Sequence, residues 1–173
     1  MKVKFFARSG ACAAELDLPK DFVLLHGEQL DDRGQLACGC APETARILLG
    51  YGVEEMTLTV GTETKSSDLA SELLGGFDRD KVVLEATTLG FAELFCATNA
   101  LLANGATSID IIYVEPARYQ RASPSGDQFE LSEPTRGYAP IPNAIVDLTS
   151  DEVEAGVFFL GFEPERLERA LEE

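Results

Sequence analysis

The sequence is short of positive charge, of histidine and of long apolar runs, and each shortage closes off a class of function. Its 14 Lys and Arg stand against 30 Asp and Glu, which gives a formal charge of −16. Sequence-independent nucleic-acid binding draws on Lys and Arg displacing the counterions condensed on phosphates, so direct nucleic-acid binding is not expected. No apolar stretch reaches the roughly 18 residues that a membrane span needs. The start, Met1-Lys-Val-Lys-Phe-Phe-Ala-Arg8, has too brief an apolar run for a signal peptide and no small-residue cleavage pattern. The expectation is a cytoplasmic protein with no membrane partner.

Other absences bear on chemistry. Cys12, Cys38, Cys40 and Cys96 form no paired C-x-x-C knuckles of the kind that hold structural zinc, so reduced thiols are expected. Cys38-Gly-Cys40 reads as small buried residues, because thiols one residue apart bridge only with strain and a soft metal needs more ligands. The dinucleotide fingerprint G-x-G-x-x-G follows no strand and the P-loop pattern is missing, which argues against an ordinary NAD enzyme or P-loop NTPase. His26 is the only histidine, and nothing in the spacing brings a cysteine to it. No solenoid-period repeat and no low-complexity tract is present.

What is there is a core and a pattern. An apolar content of 45% over 173 residues suits one packed domain spanning residues 1–173. Residues 2–7 and 13–18 flank Ser9-Gly10 and read as a β-hairpin, within an N-terminal β extension over residues 1–34. Phe22-Val-Leu-Leu-His-Gly27 is a further strand candidate, and Asp31-Asp-Arg-Gly34 has turn chemistry. From Gln35 onward short apolar runs alternate with helical segments, the signature of βα units and a mainly parallel sheet. A short strand at residues 35–38, a helix at 42–49 stopped by Gly50-Tyr-Gly52, and a strand at 56–60 come first. Residues 61–68 read as a polar loop opening a helix that ends at Gly75-Gly76. A buried strand at 81–86 leads through Thr87-Thr-Leu-Gly90 into a helix at 91–103, with Phe91, Leu94, Phe95, Leu101 and Leu102 as its apolar stripe. A strand at 109–114 precedes a long Pro- and Gly-containing loop over residues 116–150, and a strand at 157–160 and an acidic helix at 164–171 close the chain.

Parallel sheets bind ligands at the carboxyl ends of their strands, which directs attention to the strand-end loops. Gly61, Thr62, Thr64 and Lys65 offer hydroxyls and an ammonium before one helix; Thr87, Thr88 and Gly90 do the same before the next. Ser and Thr also serve simply as helix caps. Glu43, Glu63, Glu85, Glu115 and Glu163 fall near expected strand ends, which leaves a carboxylate pair or divalent-metal site open as a small metal-dependent nucleotide hydrolase. Acids throughout residues 147–173, opposed there only by Arg166 and Arg169, suit a solvated face or a docking surface for a basic protein partner.

Three runs carry a resemblance: Leu84-Glu-Ala-Thr-Thr-Leu-Gly-Phe-Ala-Glu-Leu94, Ile111-Ile-Tyr-Val-Glu-Pro-Ala-Arg-Tyr119 and Val157-Phe-Phe-Leu-Gly-Phe-Glu-Pro-Glu-Arg166. A Thr-rich strand-to-helix turn, a Tyr-containing strand ending in Glu-Pro with a further Tyr, and a strand ending in Gly-Phe-Glu are similar to features of bacterial Rossmann-like proteins. Those proteins are related to CRISPR-associated Rossmann-fold sensors and to other antiviral-defence proteins. Cys40-Ala-Pro-Glu-Thr-Ala-Arg46 looks like their first strand-to-helix turn, with Pro42 where an aromatic residue is usual. The resemblance covers about residues 35–171. It implies an α/β, Rossmann-like three-layer fold and a non-catalytic nucleotide-sensing or adaptor domain, with any effector on a separate polypeptide.

In that reading a nucleotide or cyclic oligonucleotide rests at the strand ends. Thr87, Thr88 and Gly90 cradle phosphate, Gly61, Thr62, Thr64 and Lys65 add contacts, Glu43 and Arg46 orient the first loop, and Glu115 and Tyr119 close the site. No cofactor is assigned. The alternative from a different class is an acidic interaction subunit that docks a basic protein partner.

Overall fold

Two adjacent leucines define the middle of the molecule. The computed structural model describes residues 4–115, and in it Leu24 and Leu25 are both fully buried on the central strand. Neighbouring residues of a strand point to opposite faces, so this strand must be covered on both sides. Among the described residues six strands form the sheet: β1 (Val23–His26), β2 (Arg46–Gly52), β3 (Thr57–Val60), β4 (Glu63–Ser66), β5 (Val82–Glu85) and β6 (Asp110–Ile112). Their order is β4-β3-β2-β1-β5-β6. β1 pairs in parallel with β2 and with β5, and β5 in parallel with β6, whereas β3 is antiparallel to both β2 and β4. Three α-helices of the described residues accompany the sheet: α1 (Asp32–Cys38), α2 (Ala70–Leu74) and α3 (Phe91–Ala103).

The alternation sorts the core. Leu25, Leu49, Val82 and Leu84 face Leu73 and Leu74 of α2 and Cys96, Ala97, Ala100 and Leu101 of α3. Leu24 and Val83 face the other way, onto Cys38 at the end of α1, Ala41, and the flanking Leu16, Leu18 and Phe22. Each fully buried Leu contributes roughly 1.5–3 kcal/mol, so the two faces together supply most of the driving force for this part of the chain. Among the described residues no helix is long and apolar enough to cross a membrane.

The strands at β1, β3 and β5, the helix end before Gly75 and the span of α3 agree with the sequence pattern. Several other expectations are corrected. No hairpin forms over the described part of residues 2–18, where the regular element is a 3₁₀ turn at Ala13–Glu15. A two-stranded hairpin has little to bury its apolar side against. Leu16 and Leu18 instead cover the Leu24 face of the sheet, leaving Phe5 and Phe6 exposed.

The turn expected at Asp31 to Gly34 and the strand expected at 35–38 are one helix, α1. Asp31 accepts a hydrogen bond from the Gly34 amide at 2.9 Å, and Gly34, Ala37 and Cys38 share the buried side at helical spacing. The expected helix at 42–49 is a 3₁₀ turn at Glu43–Ala45 followed by β2. Ile47, Leu49 and Tyr51 alternate toward the α2/α3 side, a period-2 pattern that continues through Gly50 and Gly52.

The polar loop at 61–68 contains strand β4, which returns antiparallel along β3 after a turn with Gly61 at φ +62°. Its polarity reflects its place at one end of the sheet order, where charged and hydroxyl side chains discourage further pairing. On α3 the buried stripe is Cys96, Ala97, Ala100 and Leu101, while Phe91 is 73% exposed. Small side chains let the helix approach the sheet closely. The strand expected at 109–114 is confined to Asp110–Ile112. The loop at 116–150, the strand at 157–160, the helix at 164–171 and Tyr119 lie outside the described residues.

Candidate functional site

From β1 the chain runs outward to β2, then returns to place β5 on the other side of β1. α1 leaves β1 toward the Leu24 face, and α3 leaves β5 toward the Leu25 face. Two neighbouring parallel strands whose helices depart to opposite faces leave a crevice between their carboxyl ends. Here those ends are His26-Gly27 and Glu85-Ala-Thr-Thr88.

Glu85 is the chemical centre of this edge. It is fully buried at the end of a strand whose other residues are all apolar. An ionised carboxylate is costly to bury unless it is well hydrogen-bonded. Here it accepts from the Thr87 amide at 2.7 Å, from the Thr88 amide at 2.9 Å and from the Thr88 hydroxyl. With its proton directed at Glu85, the Thr88 oxygen accepts from the Gly27 amide at 2.8 Å, tying the end of β1 to the turn after β5. Donors to a charged acceptor form the stronger class of hydrogen bond, which lets the group persist away from water.

Packing around the turn is equally close. A Cβ on Gly27 would lie 2.2 Å from the Thr88 carbonyl oxygen, and one on Gly34 would lie 2.7 Å from the Thr88 methyl. Thr87 fastens the neighbouring strand: its hydroxyl accepts from the Val114 amide at 2.9 Å, beside the Ala86 amide donating to the Ile112 carbonyl at 2.8 Å. Glu115 is exposed just beyond that anchor. Gly90 caps α3 without a side-chain bond, and Glu93 in the first turn accepts from the Tyr51 amide at 3.1 Å. Half-buried His26 bonds through Nδ1 to the Gly27 carbonyl at 2.8 Å.

The expected site residues therefore divide. Thr87, Thr88, Gly90 and Glu115 share the carboxyl edge of the parallel strands. Arg46 begins β2, so it and Glu43 lie at the opposite, amino edge, where the Arg46 Nε donates to the Ala41 carbonyl at 2.8 Å. Gly61, Thr62, Thr64 and Lys65 belong to the β3–β4 hairpin. Four strand spacings separate β4 from β5, roughly 19 Å across the sheet. Lys65 pairs there with Glu72 at 2.9 Å, and the Thr64 hydroxyl pairs with that of Thr59 at 2.8 Å.

Sequence reasoning missed Gly27, Gly34 and Asp31 as parts of the site. The available signal was a glycine directly after an apolar strand, and an Asp three residues before Gly34, at N-cap spacing.

Cys38 and Cys96 are buried, Cys40 is half-buried and Cys12 is exposed. Burial, with a smaller push from the Glu85 charge, raises Cys38; burial also raises Cys40 and Cys96. A thiol held protonated is a poor nucleophile. Among the described residues no group of three or more His, Cys, Asp or Glu is placed to hold a metal ion. A groove of about 140 Å³ lies between α2 and α3, lined by Ser67, Ser71, Phe95, Cys96 and Asn99. Small-molecule pockets usually measure about 300–1,000 Å³, so this groove is small for such a ligand, and the β1/β5 edge is the candidate on topology alone.

Asp31 caps α1 beside this edge and carries a displaced pKa. The Gly34 amide, then the Arg33 guanidinium, hold its carboxyl below the usual range for an aspartate. A depressed folded-state value means that its contribution is present above the unfolded value and disappears as pH falls through the folded one. Asp31→Asn is expected to retain the cap at neutral pH and to flatten this acid dependence. Asp31→Ala is expected to lose about 1 kcal/mol at pH 7. Urea unfolding between pH 7 and pH 3 measures both.

The described residues define a mixed α/β fold with a six-stranded, mostly parallel sheet. Compared with known protein families, curated proteins and solved structures, the chain finds no match.

Proposed function

We propose that the chain is a Rossmann-like, non-catalytic sensing or adaptor module whose ligand is a nucleotide or cyclic oligonucleotide, of the kind used in bacterial antiviral defence. The observation that carries this reading is the crevice between the carboxyl ends of β1 and β5, formed where the strand order reverses. Further support comes from the turn after β5, which coincides with the Thr-rich motif of the resemblance and is held by buried Glu85.

The chemistry of the crevice revises which atoms do the binding. The Thr87 and Thr88 amides are already bonded to Glu85, so these residues form the floor of the site and do not cradle phosphate. The first turn of α3 begins at Gly90 without a side-chain cap and is the remaining source of amides for an anion, with the Glu93 carboxylate packed against Gly90 on one side. Gly27 lets β1 pack against the Thr88 backbone, and Gly90 makes room for the Glu93 carboxylate. The acidic surface is compatible with this arrangement, because distant charges are screened over a Debye length of about 8 Å.

Calorimetric titration of the full chain with a panel of nucleotides and cyclic oligonucleotides tests the reading. At least one ligand is expected to bind with micromolar affinity and to shift the amide resonances of Gly27, Leu89 and Gly90. A folded chain that gives no heat with any member of the panel removes the proposal.

A further inference from the structure

We infer that Glu85 is a specificity-determining residue: a resident anion that fills the Thr87–Thr88 turn and excludes phosphate from it, so that the uncharged part of a ligand lies over this turn. The inference rests on the crevice being the ligand site, but its central claim concerns the turn alone.

The turn has the makings of an anion receptor. Two consecutive amides and one hydroxyl converge on a single point, the arrangement by which backbone nests hold phosphates and other oxyanions. In this chain that point is occupied by a carboxylate from the preceding strand. Oε1 takes the Thr87 amide, and Oε2 takes the Thr88 amide together with the Thr88 hydroxyl. The donors are spent, and Glu85 has no exposed surface.

An incoming phosphate would have to approach a fixed negative charge and strip it of its donors. That would leave Glu85 charged, buried and unbonded, the arrangement proteins avoid most strongly. Nor does the Thr88 hydroxyl have a second proton to offer, since it donates to Glu85 while accepting from Gly27. A neutral ribose or base faces no such penalty, because it need not compete for the amides. The residue thus sets the direction in which a nucleotide lies, with its phosphates off the β5 turn.

The test restores the receptor by removing its occupant. Glu85→Ala deletes the carboxylate and leaves the amides of Thr87 and Thr88 free. In the full chain, formate or inorganic phosphate is expected to raise the melting temperature of the variant by about 3 °C or more over chloride at equal ionic strength. Wild-type protein is expected to shift by less than about 1 °C under the same salts. The Thr87 and Thr88 amide resonances should move saturably with either anion in the variant only.

A folded Glu85→Ala chain that responds to neither anion overturns the inference. So does a wild-type chain whose Thr87 and Thr88 amides saturate with phosphate, and this second measurement decides the matter even if the variant fails to fold. Because the probes are simple anions, failure of the nucleotide panel leaves this result standing, and failure here leaves the panel standing.

Discussion

Replacing Gly27 with alanine is expected to destabilise the protein by about 2–6 kcal/mol, the largest effect of any conservative change at the site. The added methyl carbon would sit 2.2 Å from the Thr88 carbonyl oxygen and 2.8 Å from its carbonyl carbon. Both are backbone atoms, so no rotamer change relieves the clash. β1 must move away from the β5 turn, which breaks the Gly27 amide bond to the Thr88 hydroxyl and loosens α1 where Gly34 meets Thr88. Overpacking of this kind costs about 1–3 kcal/mol, and an orphaned buried donor adds about 1–3 kcal/mol. Gly50→Ala is the control, because a methyl there meets nothing within 4 Å. In a strand interior that change is expected to be neutral or to stabilise by up to about 1 kcal/mol. Urea denaturation of both variants decides the point: similar midpoints would mean that the β1 and β5 ends are not in contact.

Glu85→Gln is expected to cost about 2–4 kcal/mol although it barely alters shape. Glutamine is cheaper to bury than a carboxylate, which works in favour of the variant. Against this, its amide nitrogen would have to stand where one carboxylate oxygen now accepts, facing donors that need an acceptor. Losing charge-assisted bonds and leaving a buried donor unmatched outweighs the saving in desolvation. Hydrogen exchange at Thr87 and Thr88 should accelerate along with the loss of stability. Unchanged exchange and an unchanged unfolding midpoint would show that the carboxylate does not hold the turn.

Some of the molecule is legible from residue order because local pattern and tertiary demand coincide. Val82-Val-Leu-Glu85 reads as a strand since both faces of a central parallel strand require apolar side chains. The span 91–103 reads as α3 because Gly90 and Asn104-Gly105 bracket a run of good helix formers. Other parts resist. Arg46-Ile-Leu-Leu-Gly-Tyr-Gly52 is short and apolar, and a stretch of that kind suits a helix or a strand until its neighbours exist; β1 and β3 on either side settle it.

The place of Thr87, Thr88 and Gly90 in the turn between β5 and α3 could be read because a hydroxyl-rich turn before a strong helix is a local signal. What the turn binds could not. Whether its amides point to a ligand or to Glu85 depends on side-chain direction, which residue spacing does not contain. Lys65 misleads for a related reason: a polar stretch between two apolar elements reads equally well as a ligand loop or as a strand at the end of a sheet.

The Gly27–Thr88 bond joins residues 61 positions apart in the chain. During synthesis, at about 5–20 residues per second, β1 emerges roughly 3–12 s before the strand that completes its second edge. Once β2 has followed, Val23, Leu24 and Leu25 have a partner on one side and still no β5 on the other. The crevice is thus among the last features of the sheet to close, and the nascent chain carries an open apolar edge that a chaperone or a neighbouring nascent chain can reach.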